Sequence, residues 1–271
     1  MYLTRHQTEQ GACWALNGHY LPQTFDLNFL LSLPKSTSLQ LLGAMEVGAS
    51  ADDPLLPPIE PYQEVWACGV TYLRSRQARM EESDVADVYE RVYEAERPEI
   101  FFKSLGWRAK GSGQSVRIRK DSTWDVPEPE LTLVLNSAGE ILGYTAGNDM
   151  SSRSIEGENP LYLPQAKTYD GSCAVGPGLL IAENLELSQL PIKLKIARDG
   201  QTVFDGDANT NQLKRNPQEL ADWLIREVTF PQGVFLMTGT CLVPEDDFTL
   251  QAGDCLTVSV GTLTLENSVA D

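Results

Sequence analysis

The sequence predicts an α+β fold in which antiparallel sheets form most of the body and helices are few. Three observations predict it. Short strand-like runs dominate from about residue 60 onward, turn residues separate these runs at hairpin spacing, and only two segments carry a clear helical period. The chain has 271 residues, of which 42% are hydrophobic and 22% are charged, so its composition is that of an ordinary globular protein.

Residues 1–60 are predicted to form a small N-terminal domain that ends in an extended linker. Short apolar runs mixed with turn residues fill most of this segment. Four prolines then lie close together, at Pro54, Pro57, Pro58 and Pro61. Because proline fixes φ and removes a hydrogen-bond donor, such a stretch favours an extended connector. We therefore expect the catalytic domain to span residues 61–271.

Two segments, residues 83–95 and 216–228, are predicted to be helices. In the first, apolar side chains recur at helical spacing, at Val85, Val88, Tyr89 and Val92. In the second, Asn216 is suited to the N-cap and Pro217 to the first helical position. The acidic stretch 81–99 is interpreted either as a solvated helix face or as a lid that closes over a site.

Strand patterns account for most of the remaining chain. Residues 131–135 and 141–147 are two such runs joined by turn residues, which predicts a hairpin. Asp199-Gly200 lies between two further alternating runs and is a strong signal for a two-residue hairpin turn. The tail over residues 255–267 alternates again. Antiparallel pairing is therefore expected throughout the catalytic domain.

The charge of the chain limits its partners. Lys and Arg total 21 against 38 Asp and Glu, which gives a net charge of −17 at pH 7. Such a surface repels phosphate backbones and anionic lipid, so we expect neither nucleic acid nor a membrane as partner. No apolar run approaches the ~20 residues that cross a bilayer, and we expect a soluble cytoplasmic protein. An anionic substrate would need a metal ion or clustered cations at its site.

Histidine and cysteine usage narrows the chemistry further. The five cysteines never form a CxxC spacing, which favours reduced and mostly buried thiols. The only histidines are His6 and His19. The catalytic domain therefore lacks the histidine that a Ser-His-Asp relay, a Cys-His pair or a His-ligated zinc requires. Its chemistry has to use carboxylates, lysine, hydroxyls or a hard metal ion.

Glu128 and Glu130 are candidate metal ligands at the start of the strand predicted over 131–135. Side chains two apart on a strand project on the same side, about 7 Å apart at Cβ. Carboxylates aimed at one point favour a hard cation such as Mg²⁺ or Ca²⁺ between them. Asp149 follows the next strand, and a hairpin would return it to the same rim. The alternative is an exposed strand edge that holds no ion.

Lys167 and Glu99 are candidate functional residues, and each also has a simple interpretation without a function. Lys167 lies in a Gly- and Pro-containing loop, where a lysine is most often solvated. Glu99 precedes an apolar strand-like run and is alternatively a rim carboxylate that pairs with Arg97 or Lys103. Thr240, in a Thr-Gly-Thr sequence, completes the set.

Taken together, these motifs resemble those of the fumarylacetoacetate hydrolase family. The motifs in order are Glu128-x-Glu130, Gly-Asn148-Asp149-x-Ser151-x-Arg153, Lys167, Asp170, Gly176-Pro177 and Thr-Gly-Thr at 238–240. They span nearly all of residues 60–271. The resemblance implies a mixed β-roll catalytic domain behind a small N-terminal domain. It also implies that Glu128, Glu130 and Asp149 hold Mg²⁺, although the motifs do not distinguish Mg²⁺ from Mn²⁺.

One departure from the family pattern indicates which branch of the family the chain resembles. Hydrolytic members carry Asn-Tyr-x-x-His after their first core strand, whereas this chain has Thr71, Tyr72 and then Ser75 at the histidine position. A His-Glu dyad for C–C bond hydrolysis is therefore missing. The local sequence instead resembles the dehydratase branch that acts on 2-keto-3-deoxy sugar acids, in the strings TYLRSRQARMEES and RSIEGENPLYLPQAKTYDGSCAVGP.

The branch implies a hydro-lyase of pentose catabolism that converts a 2-keto-3-deoxy pentonate to 2,5-dioxopentanoate. Glu99 and Lys167 would flank the metal-bound 2-oxo sugar acid as base and acid, in an order that the sequence leaves open. Thr240, Ser75 and Arg79 would contact the distal end of the substrate. The resemblance further implies a homodimer or homotetramer.

Two other classes of function stay open. The first is another activity of the family, namely an oxo-acid decarboxylase, an isomerase or an acylpyruvate-type hydrolase. The second is a non-enzymatic β-structured module that keeps the carboxylates as a structural metal site.

Overall fold

The computed structural model of the chain describes residues 1–73 and 86–271. Its strands in chain order are β1 (Tyr2–Thr8), β2 (Gly11–Leu16), β3 (His19–Tyr20), β4 (Leu55–Leu56), β5 (Glu64–Gly69), β6 (Glu99–Leu105), β7 (Ser115–Arg117), β8 (Asp125–Val126), β9 (Pro129–Leu135), β10 (Ile141–Asp149), β11 (Ser151–Ser152), β12 (Cys173–Ile181), β13 (Pro191–Arg198), β14 (Gln201–Asn209), β15 (Val234–Met237), β16 (Cys255–Val260) and β17 (Leu263–Ala270). Its α-helices are α1 (Leu27–Leu31), α2 (Lys35–Ala44), α3 (Ala86–Glu94), α4 (Arg153–Glu158), α5 (Leu163–Lys167) and α6 (Pro217–Ile225), and turns of 3-10 helix lie at Gly106–Arg108, Pro160–Tyr162 and Thr210–Gln212.

Two large sheets form the body, and the predicted α+β class is confirmed. In the part of the chain that the structure describes, the larger sheet has ten strands in the order β3-β2-β1-β12-β10-β9-β15-β5-β6, with β4 paired to β1. The smaller sheet has five described strands in the order β14-β13-β16-β17-β7, and β8 and β11 form a short pair of their own. Pairing is antiparallel except for β15 with β5 and β17 with β7, which are parallel. The sheets are therefore mixed, as expected.

The three antiparallel patterns of the sequence are all present. β9 and β10 form the first predicted hairpin, with Leu133 opposite Tyr144. β13 and β14 form the second, and Asp199 has the positive φ of 51° that its tight turn requires. β16 and β17 form the antiparallel tail.

The helix predicted over 216–228 is α6, which ends at Ile225. Asn216 caps it, since its side chain accepts a hydrogen bond from the backbone N–H of Gln218 at 2.8 Å. The helix predicted over 83–95 is present as α3, and residues 83–85 lie outside the described part of the chain. Glu90 is exposed, as a solvated helix face requires, and the lid interpretation stays a hypothesis.

The two faces of the larger sheet pack against different hydrophobic clusters. Leu131 and Leu133 of β9 belong to the cluster between the two sheets, whereas Val134 packs with α1 on the opposite side. Both faces of β9 are therefore buried, which explains its nearly unbroken apolar sequence. The residue just before this strand and the second residue within it are the candidate ligands Glu128 and Glu130, so the candidate site begins in a rigid part of the fold.

The N-terminal strands extend the larger sheet. β1 pairs with β12, with Leu3 opposite Leu179, and also with β4. The division of the chain near residue 60 stays a prediction.

Four of the five cysteines are buried, and all five are free thiols. Among the described residues, none of the helices is long and apolar enough to cross a membrane.

Candidate functional site

The hairpin of β9 and β10 gathers three buried carboxylates. Its register places Gly147 opposite Glu130, and the backbone N–H of Asp149 donates to the carbonyl of Glu128 at 2.9 Å. Glu128, Glu130 and Asp149 are 3%, 0% and 1% exposed. One oxygen atom from each of the three carboxylates lies within 4.8 Å of the others. The interpretation of these residues as an exposed strand edge is therefore wrong.

Among the described residues, three cations contact two of these carboxylates. Lys167 Nζ lies 2.8 Å from Glu128 Oε2 and 3.2 Å from Asp149 Oδ2, and it bridges the two ligand groups. Arg153 lies 3.0 Å from the other oxygen of Glu128. Lys103 pairs with Asp149 Oδ1. Buried charges are tolerated only when they are paired in this way, so these cations balance the charges of Glu128 and Asp149.

Glu130 is the carboxylate with the greatest need for a further cation. Its Oε2 accepts a hydrogen bond from the backbone N–H of Gly239 at 2.7 Å, whereas its Oε1 is buried without a hydrogen-bond partner among the described residues. Burial and then the charges of Asp149 and Glu128 raise the pKa of Glu130 well above its usual range, and Lys167 offsets this only in part. Three clustered carboxylate oxygens suit a hard divalent cation, so the residues fit Mg²⁺ or Mn²⁺.

We expect Mg²⁺ binding to release protons and to tighten as the pH rises. Only the carboxylate form of Glu130 can ligate a metal ion, and the raised pKa keeps this group protonated at a pH where exposed carboxyls are ionised. Raising the pH removes that proton beforehand and strengthens binding, whereas acid weakens it. Titration calorimetry in buffers of different ionisation enthalpy measures the release. An affinity that is independent of pH, with no proton released, would contradict the expectation.

A narrow cavity opens beside the carboxylate cluster, and other candidate residues line it. Its lining includes Glu99, Phe101, Glu128, Arg153, Glu156, Lys167 and Thr240. Glu99 approaches β5 closely, because a Cβ on Gly69 would lie only 1.9 Å from Glu99 Oε2. Glycine at this position therefore makes room for the Glu99 carboxylate.

Lys167 and Thr240 both face this cavity with buried side chains. Lys167 is 2% exposed, so its interpretation as a solvated loop lysine is wrong. Its Nζ also lies 5.8 Å from the ring centroid of Phe101. Thr240 Oγ1 donates to the carbonyl of Leu242 at 3.1 Å. The structure thus brings Glu99, Lys167 and Thr240 together with the three carboxylates.

Not every candidate is placed, and two contacts were not predicted. Ser75 and Arg79 lie outside the described residues. Lys103 was considered only as a partner for Glu99, yet it is fully buried and pairs with Asp149. Arg153 belongs to one of the family motifs, but the sequence alone gave it no role. The available signal was the sequence spacing, since strand alternation alone would place Lys103 on the same face as Glu99. The structure shifts the register of β6 at Lys103.

Comparisons with known proteins identify the family to which the chain belongs. The family model described as fumarylacetoacetate (FAA) hydrolase C-terminal matches residues 65–270. A probable 2-keto-3-deoxyxylonate dehydratase of Haloferax volcanii is 50% identical over 209 residues, which are 76% of this chain and 72% of that protein. The 2-dehydro-3-deoxy-D-arabinonate dehydratase of Saccharolobus solfataricus is 44% identical over 212 residues, which are 76% of this chain and 70% of that protein.

A solved structure extends the similarity over the whole chain. It is 2-keto-3-deoxy-D-arabinonate dehydratase complexed with magnesium and 2,5-dioxopentanoate, with a TM-score of 0.84 and 34% identity. The alignment covers 99% of this chain and 98% of that one. The matched residues contain every motif of the carboxylate cluster and its cavity. The chain belongs to the fumarylacetoacetate hydrolase family.

Proposed function

We propose that the protein is a hydro-lyase that uses Mg²⁺ to dehydrate a 2-keto-3-deoxy pentonate to 2,5-dioxopentanoate in pentose catabolism. The observation that carries the proposal is the buried cluster of Glu128, Glu130 and Asp149, whose Glu128 lines the same cavity as Glu99 and Lys167. The two dehydratases that are 50% and 44% identical support the same reaction. The solved relative that contains magnesium and 2,5-dioxopentanoate supports the same ion and product.

The overall reaction removes one water molecule from the substrate. A proton leaves C3 and the hydroxyl leaves C4, which forms a C3=C4 double bond. A proton then moves from C5 to C3, and the resulting enol becomes the C5 aldehyde. The site needs a group that removes a proton and a group that donates one to the departing hydroxyl.

Glu128, Glu130 and Asp149 would hold the Mg²⁺ ion. When bound, the ion supplies Lewis-acid polarisation of the substrate's 2-oxo and carboxylate oxygens, which makes the C3 proton more acidic. This arrangement also explains how a chain of net charge −17 accepts an anion. Manganese fits the same donor set.

Lys167 and Glu99 would carry the proton transfers. The carboxylates of Glu128 and Asp149 lie against Lys167 Nζ and favour its ammonium form. We therefore assign Lys167 as the donor to the departing C4 hydroxyl and Glu99 as the base at C3. Thr240, at the cavity wall, is assigned to the distal hydroxyls, together with Ser75 and Arg79.

The direct test is incubation of the purified protein with Mg²⁺ and a panel of 2-oxo acids that includes 2-keto-3-deoxy pentonate. We expect an aldehyde product from the deoxy pentonate alone, and its loss with a chelator. Release of CO₂ from an oxo-acid would instead identify a decarboxylase. Metal binding without turnover of any member of the panel would identify a structural metal site and overturn the proposal.

A hydrolase mechanism has weaker support. C–C bond hydrolysis in the family depends on a histidine that activates water, and the two histidines of this chain lie on β1 and β3. Neither lines the cavity. The polar groups of the described cavity residues are therefore carboxylates, one lysine, one arginine, one hydroxyl and the thiol of Cys68.

The family resemblance also supports a homodimer or homotetramer in the cytoplasm, which we include in the proposal. Large apolar side chains are exposed on the single chain, with Leu161 at 83% and Tyr62 at 81%. Such side chains are available for subunit contacts.

A further inference from the structure

Lys103 is a buried cation to which the proposed mechanism gives no role. It lies on β6, two residues after Phe101, at the point where the register of β6 against β5 shifts. Glu99 and Phe101 line the cavity, whereas the Lys103 side chain is 0% exposed beneath them. Burying an ammonium is costly unless acceptors surround it. Its partners therefore indicate what it does.

Three acceptors surround Lys103 Nζ. They are the Asp149 carboxylate at Oδ1, the Met150 carbonyl at 2.9 Å and the carbonyl of Lys167. Among the described residues, the two carbonyls accept hydrogen bonds from this ammonium, and the Asp149 carboxylate pairs with its charge. The acceptors come from two elements, namely the end of β10 with the residue that follows it, and the end of α5.

The contact with the Lys167 carbonyl fixes the end of a very short helix. α5 has five residues, and Lys167 is its last. The last carbonyls of a helix lack partners within the helix and attract cations. Lys103 thus holds the backbone of Lys167, while Lys167 Nζ returns to Glu128 and Asp149.

Asp149 is consequently held from both sides by lysines, at Oδ1 by Lys103 and at Oδ2 by Lys167. We propose that Lys103 is the positioning residue of the site, an inference that rests on the proposed metal-dependent function. It fixes the carboxylate of Asp149 for the metal ion and the backbone of Lys167 for proton transfer. It touches neither substrate nor metal.

The test replaces Lys103 with methionine, which keeps the length of the side chain and removes its charge and donors. We expect titration calorimetry of Lys103→Met to show Mg²⁺ affinity lowered about tenfold or more, the range found when partners of metal ligands are removed. At saturating Mg²⁺, kcat stays lowered while KM changes little, because Lys167 is displaced. The matched control is Lys195→Met on the exposed face of β13, which should keep wild-type affinity and rate.

A folded Lys103→Met protein with wild-type Mg²⁺ affinity and kcat overturns the proposal. If that variant does not fold, the Lys103→Arg variant tests the proposal instead. Its planar guanidinium keeps the charge but cannot aim three donors at these acceptors, so lowered Mg²⁺ affinity supports the proposal and wild-type affinity overturns it. A wild-type protein that binds Mg²⁺ without dehydrating any sugar acid, with affinity still lowered in the variant, overturns only the proposed function.

Discussion

Replacing Lys167 with methionine is expected to stop turnover while the fold and the metal site survive. The ammonium donates the proton that the departing hydroxyl needs, and a general acid of this kind contributes about 10²–10⁴-fold to the rate. Methionine fills a similar volume, so the buried site keeps its packing. Mg²⁺ remains bound because the ion replaces the positive charge that Lys167 places between Glu128 and Asp149. Steady-state kinetics and calorimetry on the same preparation measure both effects.

The control for this substitution is Lys195→Met, which removes an exposed lysine of β13. It should leave rate and Mg²⁺ affinity unchanged. A fall in kcat of less than about tenfold in Lys167→Met would remove Lys167 from the proton-transfer steps. Loss of Mg²⁺ binding together with the rate would assign Lys167 to the metal site instead.

The second large effect is expected from Glu130→Gln. This change should abolish Mg²⁺ binding and turnover, because it removes one of three ligands and the amide is a poor substitute for a carboxylate. The same change should raise the melting temperature of the metal-free protein. Ionised Glu130 is destabilised by burial and by Asp149 and Glu128, as its raised pKa shows, and glutamine removes that cost while it still accepts from Gly239.

The gain in stability has a defined pH dependence. A carboxyl whose pKa is raised in the folded state lowers stability as the pH rises above the pKa of the unfolded chain. The advantage of Glu130→Gln should therefore be small in acid and grow toward neutral pH. Thermal melts over a pH series, with the exposed Glu186→Gln as control, measure it. Mg²⁺-dependent turnover by Glu130→Gln at the wild-type rate would show that Glu130 is not a ligand.

The sequence predicted most of the local strand pairing because a hairpin is encoded within a few residues. Asp199-Gly200 and the turn before Ile141 carry their own backbone preferences, and the strands on either side alternate or are apolar. The pairing of β1 with β12 was not predicted. It joins Leu3 to Leu179 across most of the chain, and no local pattern encodes a contact at that separation.

The site was predictable to the same extent and for the same reason. Two glutamates at the start of one strand and an aspartate at the end of the next are brought together by one hairpin. Lys103 was not identified because a buried lysine and a solvated one have the same letter in a sequence. Only its acceptors, on β10 and α5, distinguish them. Buried polar partners of this kind depend on tertiary packing rather than on spacing.

The order of strands in the larger sheet gives the two parts of the site different resistance to heating. The strands that carry the three carboxylates, β9 and β10, each have a neighbour on both sides, whereas β6, which carries Glu99, is the last strand of that sheet in the described part of the chain. Outer strands open at lower cost than inner ones. Gentle heating should therefore displace Glu99, together with Lys103 on the same strand, before β9 and β10 separate, so that turnover and tight Mg²⁺ binding fall before the carboxylate cluster itself is lost.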